Sequence, residues 1–427
     1  MYEAEYATDL SVRTKVGLLA QMRLATFIAG LAATTSLSWA QTLRFDFGPG
    51  KVAKGYTQVL ASTTYTKELG YGFDLGSKVY CAGAGSCTSD KPFFFSIALP
   101  EGNYNVKVTL GDRTAATATT VKAESRRLML EKVETAPGKF ATRTFTVNIR
   151  TPKIATGGQV RLKPRELGVL HWDDKLTLEF NNVRPSLAAL EITKVNKAIT
   201  VYLMGDSTVT DQTGEPWNSW GQMLPRFFKP GVAVANHAES GESLRSSLGE
   251  RRLDKVMSAI QAGDYLFIQF GHNDQKEKGE GVGAFTTYKA DLKRYIAEAR
   301  KHGAIPVLVT PMNRRTFDAA GKVTNSLGDY PEAVRQAARE ENVALIDLNA
   351  MSRPFYEALG PEDSKKAFVD NTHHNSYGSY ELAKCIVEGI KANKLGIARF
   401  LVRDVPPFDP AHPDPVGSFK MPPSPQT

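Results

Sequence analysis

A serine, a histidine and an aspartate stand in this chain where they could share one proton. Ser207 closes the tripeptide Gly205-Asp206-Ser207 directly after an apolar run at residues 199–204, and Asp370 and His373 arrive together in Asp370-Asn371-Thr372-His373. A hydroxyl is a weak nucleophile until a base takes its proton. A carboxylate beside an imidazole base fixes the tautomer and steadies the imidazolium that forms. Asp370 and His373 are three residues apart, so one tight turn can present both toward Ser207. The chemistry such a set supports is acyl transfer. Gly-Asp-Ser taken alone is also an ordinary strand-to-loop turn. His374 is a rival base, and the spacing from Asp370 favours His373. Adjacent histidines point apart and no zinc-ligand spacing accompanies them, so His373 and His374 do not read as a metal pair.

Two further segments hold donors of the kind that stabilise a tetrahedral oxyanion. Asn236-His237-Ala238-Glu239-Ser240-Gly241-Glu242-Ser243 offers the backbone N–H of Gly241, and Gly271-His272-Asn273-Asp274 offers the side-chain amide of Asn273. Singly, each is as well explained as a turn glycine or a turn asparagine. Both segments follow consecutive apolar runs, however, and so would reach the same sheet edge as Ser207.

The scaffold that must gather these groups is legible in the pattern of apolar residues. From residue 198 onward, short runs rich in Val, Ile, Leu and Phe lie at 199–204, 232–235, 265–270, 305–310 and 343–348. They lack clean alternation, as expected for parallel strands covered on both faces. Between them, Phe285, Tyr288, Leu292, Ile296 and Ala299 recur at three and four residues and predict one apolar helix stripe. Strand and helix in alternation predict a doubly wound α/β domain with a parallel sheet, whose sites lie beyond the carboxyl ends of the strands. Ahead of it, alternating runs at 94–99, 105–110, 142–149 and 176–180, separated by Gly, Pro, Asp and Asn turns, predict an all-β sandwich. A last helix is expected over 379–392. The proline-dense stretch from residue 406 reads as an extended tail, lying over the surface or disordered.

Gly205-Asp206-Ser207-Thr208, Gly241, Gly271-His272-Asn273-Asp274 and Asp370-Asn371-Thr372-His373 resemble, in order, the four blocks of the SGNH, or GDSL, hydrolases. Within that superfamily, Gly205-Asp206-Ser207-Thr208-Val209, Ser219-Trp220-Gly221-Gln222 and Ser240-Gly241-Glu242-Ser243 resemble the rhamnogalacturonan acetylesterase family of carbohydrate esterases. The likeness spans about residues 198–394. It implies a flavodoxin-like three-layer α/β/α domain and no cofactor or metal. It also implies Ser207 as nucleophile, Asp370 and His373 as the rest of the triad, and Ser207 N–H, Gly241 N–H and Asn273 as the oxyanion hole. More loosely, Phe45-Asp46-Phe47-Gly48 and the strand-rich stretch after it resemble the galactose-binding-like β-domain that some bacterial members carry. That domain could bind glycan, shape the active-site rim or merely pack. Trp172 could be a binding platform or a core residue.

Length and charge agree with this organisation. At 427 residues the chain exceeds what one hydrophobic core supports. The expected division is an upstream extension and signal peptide at 1–40, a β-sandwich at 41–195, the hydrolase domain at 196–400 and the tail at 401–427. The formal charge of +8 favours acidic partners. No basic cluster with interleaved aromatics resembles a nucleic-acid module, which leaves an acidic polysaccharide as the preferred partner. Trp217, Trp220, Arg245, Arg251 and Arg252 could meet such a chain by stacking and carboxylate contacts; amphipathic packing with solvated arginines is the favoured reading of each, and none is counted as catalytic. Met22-Arg23, the apolar stretch at 24–37 and Ser38-Trp39-Ala40 read as a secretory signal cut after Ala40, with the preceding residues an overcalled start. No other segment is apolar enough to span a membrane. Cys81 and Cys87 flank a glycine-rich loop and could close a small disulfide ring in an oxidising compartment, whereas Cys385 reads as a buried small hydrophobe.

The expected activity is that of a secreted or periplasmic serine esterase removing acetyl groups from acetylated pectic polysaccharide. An acetylxylan or general short-acyl esterase is the alternative among enzymes. A carbohydrate-binding protein with a vestigial esterase half is the alternative outside them.

Overall fold

The computed structural model describes residues 42–81 and 85–426. The expected signal segment lies outside the described residues. Among the described residues, twelve strands make up the N-terminal part: β1 (Leu43–Phe47), β2 (Thr57–Val59), β3 (Tyr71–Asp74), β4 (Cys87–Thr88), β5 (Phe93–Ala98), β6 (Gly102–Gly111), β7 (Thr117–Ala123), β8 (Arg127–Thr135), β9 (Phe140–Ile149), β10 (Lys175–Asn181), β11 (Ser186–Leu187) and β12 (Ala189–Lys194). One sheet has the order β2-β1-β12-β6-β9 and faces a second of order β3-β5-β10-β7-β8. Alternate residues of both, among them Phe45, Phe47, Phe95, Val106, Val108, Leu178, Phe180 and Leu190, interdigitate as a single core. Cys81 and Cys87 are joined in a disulfide.

The second part is a five-stranded parallel sheet of β13 (Ile199–Gly205), β14 (Val232–Asn236), β15 (Tyr265–Gln269), β16 (Ile305–Val309) and β17 (Ala344–Ile346), in the order β14-β13-β15-β16-β17. That order is the flavodoxin-like one, with its reversal beside β13. The helices are α1 (Trp220–Met223), α2 (Leu244–Gly249), α3 (Arg252–Met257), α4 (Lys289–Lys301), α5 (Tyr330–Glu340), α6 (Leu348–Asp363) and α7 (Ser376–Ala392). Strand side chains alternate between two helical layers. Val201, Leu203 and Phe267 enter the core shared with α1, α6 and α7, while Tyr202, Met204 and Ile268 enter the core shared with α2 to α5. Burial on both faces is why these strands read as continuous apolar runs.

One expectation changes, and one alternative left open for the tail is decided. Phe285 is not on the helix stripe: residues Ala284–Tyr288 form a π-helical turn ahead of α4, and the widened turn rotates Phe285 out to 42% exposure. The proline-rich tail has no regular secondary structure but is packed. Phe419 stacks on Tyr380 at 3.9 Å between ring centroids, and the Lys122 Nζ of the sandwich donates to Pro422 O at 2.7 Å. Among the described residues, no helix is long and apolar enough to cross a membrane.

The sandwich and the α/β layers share one compact unit. Leu128 of β8 sits in the α/β core. Trp172 is buried, with the Arg150 guanidinium 4.4 Å over its ring, His237 edge-on at 5.6 Å and its indole N–H donating to Glu166 Oε1 at 3.1 Å. It is therefore a core residue and not a binding platform. The Arg127 Nε donates to Asp211 Oδ2 at 2.6 Å, and its Nη1 donates to Asn148 O at 2.9 Å. Both partners of this ion pair are fully buried, so removing one strands a charge. Arg127→Ala is expected to cost about 3–5 kcal/mol. Urea unfolding should show a lowered midpoint in a single transition, because the pair joins the two halves.

Candidate active site

The candidate catalytic groups gather on one edge of the parallel sheet, Ser207, Gly241 and Asn273 from the segments after β13, β14 and β15, and Asp370 and His373 from the loop before α7. β13 runs into Gly205, where close approach and not unusual backbone angles demands glycine. A Cβ there would stand 2.7 Å from Gln269 O on the neighbouring strand and 2.6 Å from Val209 Cγ2. The chain then turns through Asp206, whose carbonyl accepts from Val209 N at 3.0 Å and Thr210 N at 3.1 Å. Ser207 is thereby placed at the tip of the turn. Asp206 itself points down, accepting from Thr208 N at 2.9 Å and Thr208 Oγ1 at 2.7 Å and meeting His272 Nδ1 at 3.2 Å. Burial alone would push the Asp206 carboxyl up; His272 and the Thr208 donors outweigh it and hold the group below its ordinary range.

Asp370 and His373 arrive from the loop before α7. Asp370 Oδ1 accepts from Thr372 N at 2.6 Å and His373 N at 2.7 Å, while Oδ2 meets His373 Nδ1 at 2.7 Å. Partial burial raises the Asp370 pKa, but the His373 ring and these two backbone donors overcome it, so the carboxylate stays ionised below its usual range. His373 Nε2 lies 2.8 Å from Ser207 Oγ. The structure thus brings Asp370, His373 and Ser207 into one hydrogen-bonded line. His374 is turned the other way. It is buried against Tyr356 and Phe368, with Nε2 2.8 Å from the Tyr356 hydroxyl, and burial, then the nearby His373 and His272, push its pKa down to about 3. A neutral packed ring cannot serve Ser207.

Ser207, Gly241 and Asn273 line one cleft of about 440 Å³, together with His373 and Thr372. Gly241 has φ +78°, a left-handed conformation that favours glycine. Asn273 is anchored by one Nδ2 hydrogen to Glu242 O at 3.0 Å, with its Oδ1 accepting from Lys276 Nζ at 2.9 Å; its second N–H is left for the cleft. Two backbone N–H groups and one amide around a serine hydroxyl can hold the negative oxygen of a tetrahedral adduct. Among the described residues, no cluster of three or more His, Cys, Asp or Glu side chains is arranged to hold a metal ion.

The cleft wall also holds residues that sequence reasoning missed. Arg165, Lys276 and Arg314 line it, and among the described residues no Asp or Glu does. Arg314 donates to the neutral oxygens Thr372 Oγ1 at 3.1 Å and His272 O at 3.2 Å, while Asp206 and Asp370 act on its charge from a distance. Of the five proposed glycan contacts only Trp217 lines the cleft, at 41% exposure. Trp220 is buried and donates to Gln269 Oε1 at 2.8 Å. Arg252 is locked on Glu166 at 2.5 and 2.9 Å, Arg251 on Asp254 at 2.9 Å, and exposed Arg245 lies outside the cleft lining.

A parallel α/β sheet with a serine at the first strand's end, an imidazole on it and a carboxylate behind defines a serine-type hydrolase fold. This chain belongs to the GDSL-like lipase/acylhydrolase family, whose model matches residues 203–379, and it is a carboxylic ester hydrolase. Residues 43–155 match the galactose-binding domain-like family of β-agarase and YXIM-type esterases. Rhamnogalacturonan acetylesterase RhgT of Bacillus subtilis is 41% identical over 225 residues, 49% of this chain and 96% of that protein. The uncharacterized esterase YxiM of the same organism is 31% identical over 382 residues, 84% of this chain and 92% of that one. The crystal structure of Bacillus subtilis YxiM superposes with a TM-score of 0.46 at 27% identity, covering 83% of this chain and 99% of that one.

Beside Asn273, the Asp274 carboxyl is buried, with Oδ1 accepting from Leu244 N at 2.9 Å and Oδ2 unpartnered. Burial pushes its pKa up to about 7. An unfolded aspartate titrates near 3.9, so the folded state binds this proton more tightly. The associated stability is complete below about pH 4 and is lost as the pH rises toward and through 7. Asp274→Asn should remove that loss, gaining on the order of 2–4 kcal/mol relative to the wild type between pH 4 and 8. Urea midpoints at the two pH values measure it.

Proposed function

We propose that this esterase removes acetyl groups from an acidic pectic glycan, acetylated rhamnogalacturonan being the substrate class, through an acetyl intermediate on Ser207. The observation that carries the reading is the Asp370–His373–Ser207 line opening into a cleft whose charged lining, among the described residues, is Arg165, Lys276 and Arg314 beside the triad and oxyanion groups. Ser207 Oγ attacks the acetyl carbonyl carbon while His373 Nε2 takes its proton, and Asp370 steadies the imidazolium. The carbonyl oxygen, now negative, faces Ser207 N–H, Gly241 N–H and Asn273 Nδ2. Collapse of the adduct expels the sugar oxygen, which takes the proton from His373. Water, deprotonated by the same imidazole, then releases acetate.

Substrate choice follows from charge. A uronate-bearing chain answers the three cleft cations, and the exposed Trp217 offers a ring on which a sugar face can stack. A neutral xylan chain offers no carboxylate to Lys276 or Arg314, the two cleft cations that are in no direct ion pair among the described residues. RhgT, nearly all of whose length this chain covers, supports the same substrate class. Export is part of the reading. It is supported by the leader-like residues 22–40 and by the Cys81–Cys87 disulfide, a bond kept in oxidising compartments.

Ser207→Ala is expected to lower kcat on a chromogenic acetate ester by about 10⁴- to 10⁶-fold. Acetate release by the wild-type protein from acetylated rhamnogalacturonan should exceed that from acetylated xylan. Equal or reversed rates would move the substrate to the neutral glycans, and an active Ser207→Ala variant would remove the nucleophile.

A further inference from the structure

The loop that carries Gly241 is gripped from outside the α/β domain. Between β9 and β10 the chain leaves the sandwich, and the short 3₁₀ turn Pro164–Glu166 lies against residues 239–242. Arg165 Nε donates to Glu239 Oε1 at 2.7 Å, and Arg165 Nη2 donates to the Ser240 carbonyl. Lys163 Nζ donates to that same carbonyl at 3.0 Å and pairs with the Glu242 carboxylate. Two cations from one turn thus hold the flanking carboxylates and converge on a single backbone oxygen. The turn is itself fixed, because Lys163 N donates to Glu166 Oε2 at 2.9 Å and Glu166 takes both Nη groups of buried Arg252.

That oxygen belongs to the Ser240–Gly241 peptide. A trans peptide is planar, with its C=O and N–H pointing in opposite directions. Fixing the Ser240 oxygen on Lys163 and Arg165 therefore fixes the Gly241 N–H on the other side, where no backbone acceptor among the described residues engages it. Donors on a carbonyl also polarise the amide and strengthen its N–H as a donor. The second side-chain donor hangs on the same segment, since Asn273 Nδ2 is anchored on Glu242 O at 3.0 Å. We infer that Lys163 and Arg165 are positioning residues for the oxyanion hole, so that the N-terminal domain completes the catalytic centre through a backbone carbonyl. The inference rests on the reading of Gly241 as an oxyanion donor.

Phenyl acetate, small and neutral, tests it apart from any contact between Arg165 and a glycan. Methylboronic acid provides the second measurement: Ser207 Oγ bonds to boron, its proton passes to His373, and the tetrahedral boronate carries the negative charge. Lys163→Met and Arg165→Gln should each lower kcat about 10-fold and raise the boronate Ki about 10-fold, with the double variant near 10² and KM for phenyl acetate changed less than about 2-fold. Arg165→Lys should recover most of the loss. Ki does not depend on how much of the protein is active, so a fall in kcat with unchanged Ki would mean general damage and would overturn the inference. Unchanged kcat and Ki in the double variant would overturn it too. If Lys163→Met does not fold, Arg165→Gln and Arg165→Lys decide alone, because the Arg165 side chain is 56% exposed. Substantial turnover by Ser207→Ala would instead remove the underlying site reading.

Discussion

One hydrogen bond joins the two ends of the α/β layer: Ser207 Oγ to His373 Nε2, across 166 residues of chain. Neither residue has much freedom to search for the other. Ser207 is set by a turn that starts under a neighbouring strand too close for any side chain at 205. His373 is set by a carboxylate that binds its ring and its backbone together. The bond forms because β13 and the loop before α7 end on one sheet edge, and everything else in the domain keeps that edge in place. Asp206 and His272, buried beneath the turn, tie the first and third strand ends to each other from below.

How much of this could be read in advance depends on what each residue answers to. The five parallel strands were legible because burial on both faces forces near-continuous apolar runs, and the sandwich strands because one buried face forces alternation. The spacing of Asp370 and His373 carried their geometry, since a three-residue turn is local. Gly241 and Asn273 could be placed only through the order of the strands they follow. Arg165 carried no such signal. It lies between two strands of the sandwich, and what brings it to the cleft is the packing of one domain on the other, anchored at Glu166 and Arg252. The same packing explains Trp172 and Arg252. An aromatic or a cation in an amphipathic pattern reads alike whether it faces sugar, solvent or another domain's carboxylate. Phe285 was misplaced for a smaller reason, a single wide turn that shifts the helical phase ahead of α4.

The charge pattern divides in two. At the interface, cations are met by buried carboxylates, as in Arg127–Asp211 and Arg252–Glu166, and they hold the domains in one arrangement. In the cleft, Lys276 and Arg314 donate to neutral oxygens, an amide, a hydroxyl and a carbonyl among them, and neither is held in a direct ion pair among the described residues. Arg165 stands at the boundary, paired with Glu239 and still facing the cleft.

The tail has a consequence for the order in which the molecule can be completed. Lys122, fully buried in the sandwich, gives its amino group to Glu179 Oε1 at 3.2 Å, and also to Pro422 O and Ser424 Oγ at 2.7 Å each. Two of its three acceptors are therefore made some 300 residues later than the lysine. As the chain leaves the ribosome, the sandwich therefore keeps an under-coordinated internal ammonium until residues 422–424 have been made. Folding of the sandwich ahead of the α/β layers and the tail stops two contacts short of its native state.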